Sequence, residues 1–479
     1  MPKINPSLPM RALAAALGLI SAGCDLFDGK DEGAPPVSNI EALVLKFEDQ
    51  VAALRQLPFK RKVFPAVISR DDYARMTKTH IDSSLSEALS AHISRELAQL
   101  GFFRDTVLQY KGLIEEFQSG FAAGFYVPGS DSIFILEEYE HRQEDLLGII
   151  PHELTHALQD QYGRLDTPPP PPRELSAYAS DIDWYYTSVI EGEAAFVNSL
   201  VTMTYTIPQP NPLASAVQTS YDYLHVSLDV WRNTPRPDNL FLPAWGPYQF
   251  GPVLIANAYA ANGWDSVNAF YASPWQSSWA TINGSERTLI PFDFSEFFRL
   301  TDTTGAYSDI GCHGSIGLMA WLNSGLDSSS FYRGMGWRGD QYAYVRHPDQ
   351  RWGSWIWAGR FLDQASARGA YDILKTVLRN RFSGTNVYPV SESDDDSLLV
   401  GLPGIKLLGG DLTTFLLISN EEIYILEGLN DSANSLVAQF LVNKQSEREA
   451  VAKRSIRSQM PIFASGRGNI YHHYGNYWK

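Results

Sequence analysis

Between residues 40 and 57 the apolar positions Leu43, Leu45, Phe47, Val51 and Leu54 recur at helical spacing, which predicts an amphipathic helix. A second helical stretch is expected over 71–101 and a third over 103–117. The pattern then shortens: residues 124–136 read as two short strands about the turn Pro128-Gly129. Helical patterning returns where Leu146, Leu147, Ile149 and Ile150 lead into Leu154, Ala157 and Leu158, and again in the apolar run 177–201. In the C-terminal third, strands are expected over 342–345 and 355–361, then a helix over 363–379. A hairpin over 414–419 and 423–427 follows, then a helix over 431–442. The expected fold class is α+β, mainly helical, with this ββα-ββα order forming a smaller C-terminal α+β lobe.

One helical segment carries chemistry. His152-Glu153-Leu154-Thr155-His156 is H-E-x-x-H. Residues four apart on a helix share one face, so His152 and His156 can turn both imidazoles on one metal ion. Glu153 sits about 100° round from His152, beside such an ion and not bound to it, where it can move a proton to or from water. Gln159 and Asp160 fall on either side of the histidine stripe, and either could hold a ring N–H and fix its tautomer. The alternative is an ordinary histidine pair without metal.

A catalytic zinc needs a third protein ligand and an open position. Glu191 and Glu193 stand in the apolar run among Val189, Ile190, Ala194 and Phe196, where an unpaired carboxylate is costly to bury. Two residues apart, they point about 200° away from each other and cannot both be ligands. Spacing does not choose between them.

H-E-x-x-H followed by E-G-x-A resembles the gluzincin clan of zinc metallopeptidases. The resemblance implies Zn²⁺ held by His152, His156 and Glu191, with Glu153 as catalytic base and Glu193 solvated or paired with a basic side chain. It also implies a zincin-like metallopeptidase domain whose short edge-strand hairpin lies just upstream of the motif helix and can pair with an extended peptide. The interval from His156 to Glu191, with prolines 168–172, is longer than in the aminopeptidase branch of the clan. HELTHALQDQ (152–161) and EGEA (191–194), with PYQFG (247–251), GWDSVNAFY (263–271) and GWRGDQY (336–342), resemble a group of secreted bacterial and archaeal gluzincin-like proteins. Residues 277–284 depart from that group, lacking its usual glutamate and histidine. The implied activity is hydrolysis of a peptide or protein substrate; the alternative is a non-catalytic envelope binding or assembly protein retaining the fold. Tyr248, Tyr342 and His313 are candidate donors to an oxyanion.

Lys3 and Arg11 precede an apolar run over 12–20 that is short for a membrane span and ends in Ser21-Ala22-Gly23-Cys24. Residues 1–23 are therefore expected to be a signal peptide, with Cys24 lipidated and anchoring an exported envelope protein in the membrane; free secretion is the alternative. A polar tether over 24–38 would precede the metallopeptidase domain (39–335), the C-terminal lobe packed on it (336–452) and a basic, aromatic tail (453–479) in which His472 and His473 could bind metal weakly. Formal charge is −16, or −18 once Lys3 and Arg11 leave with the signal, which argues against nucleic-acid binding. Cys24 and Cys312 are the only cysteines, so lipidation of Cys24 leaves no intrachain disulfide. The acidic stretch 391–397 is expected to be a loop, solvated or binding Ca²⁺.

Overall fold

The computed structural model describes residues 40–102, 109–165, 170–233, 238–284, 289, 291–301, 306–323, 330–381, 391–399, 402–409 and 412–458. The expected signal peptide, Cys24, the tether and His472 with His473 lie outside them. The fold class is α+β and mainly helical, as expected.

Helix α1 (Ile40–Arg55) leads to strand β1 (Phe64–Ile68). The stretch expected as one helix over 71–101 is two, α2 (Arg70–Ser84) and α3 (Glu87–Leu100). The break is a capping event: the Ser86 hydroxyl accepts from Leu89 N at 3.2 Å, while Leu85 drops out of helical geometry and buries its side chain. Helix α4 (Tyr110–Phe121) follows, then the expected hairpin, β2 (Gly124–Val127) and β3 (Ser132–Leu136). In this three-stranded sheet β3 is central, parallel to β1 and antiparallel to β2, so β2 is an outer strand.

The motif helix α5 (Gln143–Gln161) and the next long helix α6 (Ala179–Val201) are followed by α7 (Pro212–Asn233), α8 (Leu242–Ala272, broken at Asn262 and Gly263) and the short α9 (Ser278–Asn283). Leu146, Ile150, Leu154 and Leu158 of α5 pack into an apolar cluster with Phe47 and Val51 of α1, Ile133 and Ile135 of β3, and Val189, Phe196 and Val197 of α6. Each such side chain taken from water contributes about 1.5–3 kcal/mol, so the motif helix is held on all sides rather than laid on a surface.

Beyond the short α10 (Ser295–Leu300) lie β4 (Tyr307–Gly311), α11 (Gly314–Leu322), β5 (Trp337–Arg346), β6 (Ser354–Phe361) and α12 (Gln364–Asn380). Then come β7 (Ser391–Leu399), β8 (Leu402–Gly409), β9 (Leu412–Ser419), β10 (Glu422–Glu427) and α13 (Asp431–Ser458). The strands form one seven-stranded sheet in the order β4-β5-β6-β10-β9-β8-β7, and every pair is antiparallel. Its first strand is drawn from upstream of residue 336. Alternate residues face two helical layers. Trp355, Trp357, Leu416 and Ile425 pack with α11 and α12, and Ile356, Ala358, Leu417 and Leu426 pack with Val437 and Leu441 of α13. Burial on both faces explains why these strands are almost continuously apolar.

The acidic stretch expected as a loop is instead β7, the outer strand, in register with β8 from Ser391 opposite Leu408. Charge along an outer strand discourages pairing with another chain, so acidity here is a property of the sheet's margin. Helix and sheet are tied by a buried polar knot. Gln99 of α3 donates to Gly353 O at 2.8 Å and to Glu427 Oε1 at 2.5 Å, Trp355 Nε1 donates to the same oxygen at 2.9 Å, and Arg381 is ion-paired with Glu427.

Candidate metal centre

Helix α5 places His152 and His156 one turn apart, with their Nε2 atoms 3.1 Å from each other. Helix α6 crosses beside them and delivers Glu191, whose Oε2 lies 3.4 Å from His152 Nε2 and 3.2 Å from His156 Nε2. The three atoms thus form a nearly equilateral triangle, and all three side chains are buried. A tetrahedral ion with bonds of ~2.0–2.1 Å holds its ligands about 3.3 Å apart, so the triangle has the size such an ion requires. Glu191 Oε2 is buried between the two histidine rings, a setting in which a cation would offset the cost of burying the carboxylate. Among the described residues, no other group of three His, Cys, Asp or Glu brings its ligand atoms within 4.8 Å.

The electrostatics are those of a cluster made for positive charge. Burial disfavours a charged His156 ring, yet the Glu191 carboxylate and the hydrogen bond to it push the ring up to about 9. Burial would raise Glu191 in turn, but His156 and His152 hold it down to about 2. The buried carboxylate thus favours a proton on the histidine beside it.

Of the two residues expected to hold a histidine N–H, Gln159 does so: its Oε1 is 2.8 Å from His156 Nδ1. A proton on Nδ1 leaves the Nε2 lone pair directed into the triangle. Asp160 serves the hairpin instead, accepting from Tyr126 Oη at 2.5 Å and Gly129 N at 2.8 Å. That ties the turn of β2 and β3 to the helix carrying His152 and His156.

Glu153 is buried and its Oε1 has no hydrogen-bond partner. Beside it runs Gly124 of β2, where an added Cβ would come 2.5 Å from Ile149 Cγ2 and 3.9 Å from Glu153 Cγ. Only a glycine lets the strand backbone lie this close to the helix. The outer strand and Glu153 therefore lie against each other.

Glu191 and Glu193 diverge as the helical period requires. Glu193 is buried on the other side of α6, ion-paired with Arg55, with Arg164 Nη1 at 3.5 Å and a hydrogen bond from Tyr271. The glycine between them allows a close approach: an added Cβ at Gly192 would stand 2.7 Å from Gly251 Cα of α8. That crossing brings in Tyr248, one turn before Gly251. Its ring centroid is 6.4 Å from that of His152 and its hydroxyl hydrogen-bonds the Glu191 carboxylate. Burial first, then Glu191 and Glu153, raise the Tyr248 phenol well above its ordinary range.

Tyr342 and His313 are not part of this cluster. Their rings lie 5.2 Å apart, Tyr342 donates to Asp309 Oδ2 at 3.1 Å, and His313 packs on Trp321 between sheet and helix. The GWRGDQY motif is a structural clamp: Asp340 accepts from His313 N and Gly314 N, both at 3.0 Å, and from the indoles of Trp337 and Trp357, both at 2.8 Å. The divergent stretch 277–284 is largely the buried helix α9, packed against α6, α8 and α11.

Arg55, Arg164, Asn268 and Tyr271 were not anticipated as parts of the site. Asn268 accepts from Arg55 Nη2 at 2.6 Å and Arg164 Nη2 at 2.9 Å, and the Arg55 guanidinium lies 4.1 Å above the Trp264 ring. Trp264, Asn268 and Tyr271 all belong to GWDSVNAFY, so that motif, whose purpose spacing alone did not reveal, encloses the arginines that hold Glu193.

No protein-family model matches this chain, and neither a curated protein nor a solved structure does.

Proposed function

We propose that the chain is a zinc-dependent hydrolase with a zincin-like metallopeptidase domain, acting as a peptidase in the bacterial cell envelope. The observation that carries this reading is the 3.1–3.4 Å triangle of His152 Nε2, His156 Nε2 and Glu191 Oε2, a two-histidine, one-carboxylate set suited to zinc. A bound Zn²⁺ would supply a Lewis acid that polarises a carbonyl and lowers the pKa of water. Glu153, buried with an uncommitted oxygen beside the triangle, is the group that takes and returns the proton. Tyr248 is the one oxyanion-donor candidate that stands at the cluster, its phenol kept protonated and able to donate. The outer strand β2, passing Glu153 at Gly124, suits an extended peptide added as a further strand, which favours a peptide over other acyl substrates. Export by the leader and anchoring through lipid at Cys24 complete the reading.

A non-catalytic envelope role is the second reading, favoured by the missing glutamate and histidine in 277–284. Both are tested together. Purified protein should carry about one zinc per chain and cleave members of a peptide library, with products read by mass spectrometry. Glu153→Gln should keep the metal and the fold while losing turnover. A wild-type protein without zinc overturns the reading; full cellular function of Glu153→Gln leaves only the non-catalytic role.

A further inference from the structure

Glu193 sits two residues from a ligand, is almost completely buried and faces away from the triangle, yet it is linked to the triangle through Gln159. The Gln159 Nε2 group lies 2.9 Å from Ile190 O, 3.2 Å from Glu193 Oε2 and 3.1 Å from Tyr271 Oη, while its Oε1 faces His156 Nδ1 at 2.8 Å. A glutamine amide has two ends of nearly the same shape, and its surroundings decide which faces where. Here every atom around the nitrogen end is an acceptor, because the Tyr271 hydroxyl spends its proton on Glu193. Turning the amide over would set its oxygen against a carboxylate and a carbonyl, and its NH₂ against His156.

We propose that Glu193 is a positioning residue, held by Arg55 and Tyr271, that orients the Gln159 amide and thereby fixes the His156 tautomer with Nε2 free for the metal. The inference rests on the reading of His156 as a ligand. It gives the second glutamate of EGEA a role distinct from ligation. It also makes the first described helix, which supplies Arg55 from 138 residues away in the chain, part of the support of the centre.

The test is a double-mutant cycle on the full chain: wild type, Gln159→Met, Glu193→Gln and the double variant, with zinc affinity measured by chelator competition and folding checked by circular dichroism. Loss of a partner outside the ligands costs about 10–100-fold in metal affinity, and that loss is expected for Gln159→Met. Glu193→Gln can donate as well as accept, so it lets the amide turn and should cost about tenfold with Gln159 present. In the Gln159→Met background it should cost almost nothing. Equal losses in both backgrounds, or no loss in either, overturn the relay. If Glu193→Gln does not fold, Tyr271→Phe replaces it in the same cycle, since it keeps the ion pair and removes one donor.

A second readout needs no metal. On the neutral His156 ring the ¹⁵N shifts should report the Nδ1–H tautomer in the wild type and a mixture in Gln159→Met; a mixture in the wild type also overturns the relay. The zinc reading fails separately, through a wild-type protein that takes up no zinc while its His156 remains in the single tautomer.

Discussion

Lowering the pH from 9 to 7 should weaken zinc binding about 50-fold, because the ion must displace a proton that the cluster holds tightly. In the metal-free protein the Glu191 carboxylate, 3.2 Å from His156 Nε2, outweighs the burial of the ring and keeps it protonated up to about 9. Glu191, held down to about 2, is already ionised and adds no proton. At pH 7 the His156 proton is about two units from leaving, and at 1.36 kcal/mol per unit its removal costs ~2.7 kcal/mol. Titration calorimetry in two buffers of different ionisation enthalpy counts the protons. About one should appear per zinc at pH 7, falling to about half near pH 9, while the logarithm of the affinity climbs by about one per pH unit and then flattens. Stoichiometric uptake with no proton release at pH 7 would refute the reasoning, since it would mean that His156 is already neutral or does not bind. The sign for the metal-free fold follows from the same shifts. Raising His156 above its ordinary 6.5 contributes stability that is whole below 6.5 and lost as pH rises through about 9. Lowering Glu191 from 4.5 contributes stability that is whole above 4.5 and lost as pH falls through about 2. Melting temperatures of the metal-free and zinc-loaded proteins should therefore separate further as pH rises toward 9.

Tyr248→Phe should lower peptide turnover by about 10²–10³ with zinc content unchanged, whereas Tyr342→Phe should leave turnover per folded molecule alone, as steady-state assays will show. Glu191→Gln should yield protein largely free of zinc by elemental analysis; Glu193→Gln should be isolated with nearly one zinc per chain, its deficit visible only in chelator competition. Gly251→Ala would place a Cβ 2.9 Å from Gly192 Cα and overlapping the Ser188 carbonyl, which α6 and α8 can relieve only by separating. A loss of about 1–3 kcal/mol is expected as a lowered melting temperature, with weaker zinc retention because Glu191 moves with α6.

What was legible along the chain is what depends on local periodicity. The H-E-x-x-H helix, the Glu191 and Glu193 divergence, the hairpin about Pro128-Gly129 and the strands over 355–361, 414–419 and 423–427 all follow from spacing within one element. The break between α2 and α3 was legible too, in the cap at Ser86, but apolar periodicity continuing on both sides of it masked the signal. Strand β8 contains Pro403, Gly404 and Gly409, residues that weaken a strand signal, and β7 is expected as a loop from its acidic residues; pairing within a large sheet overrides both. Helix α13 runs on to Ser458, past the expected end at 442, where polarity rises without a stop signal. The surroundings of Glu193 were beyond reach in principle. Spacing showed that it could not share a ligand's direction, but Arg55 and Tyr271 come from elements far away in sequence, and no local pattern announces such a meeting.

The polar knot at Gln99 has a consequence for how the molecule is made. Gln99 lies 254 residues from Gly353 and 328 from Glu427, and it bonds to both. As the chain emerges from a ribosome, α3 therefore has its apolar face and its amide ready long before the strands that satisfy them exist. The last described strand in chain order, β10, lies between β6 and β9 near the middle of the sheet rather than at its margin. Until Glu427 arrives, Trp355, Arg381 and Gln99 lack their common partner and the sheet stands open where it will later be closed. Order of synthesis and order of packing are thus opposed: the segment bearing His152, His156 and Glu191 precedes the sheet in the chain, but the core shared by its helices and the sheet is complete only once β10 is in place.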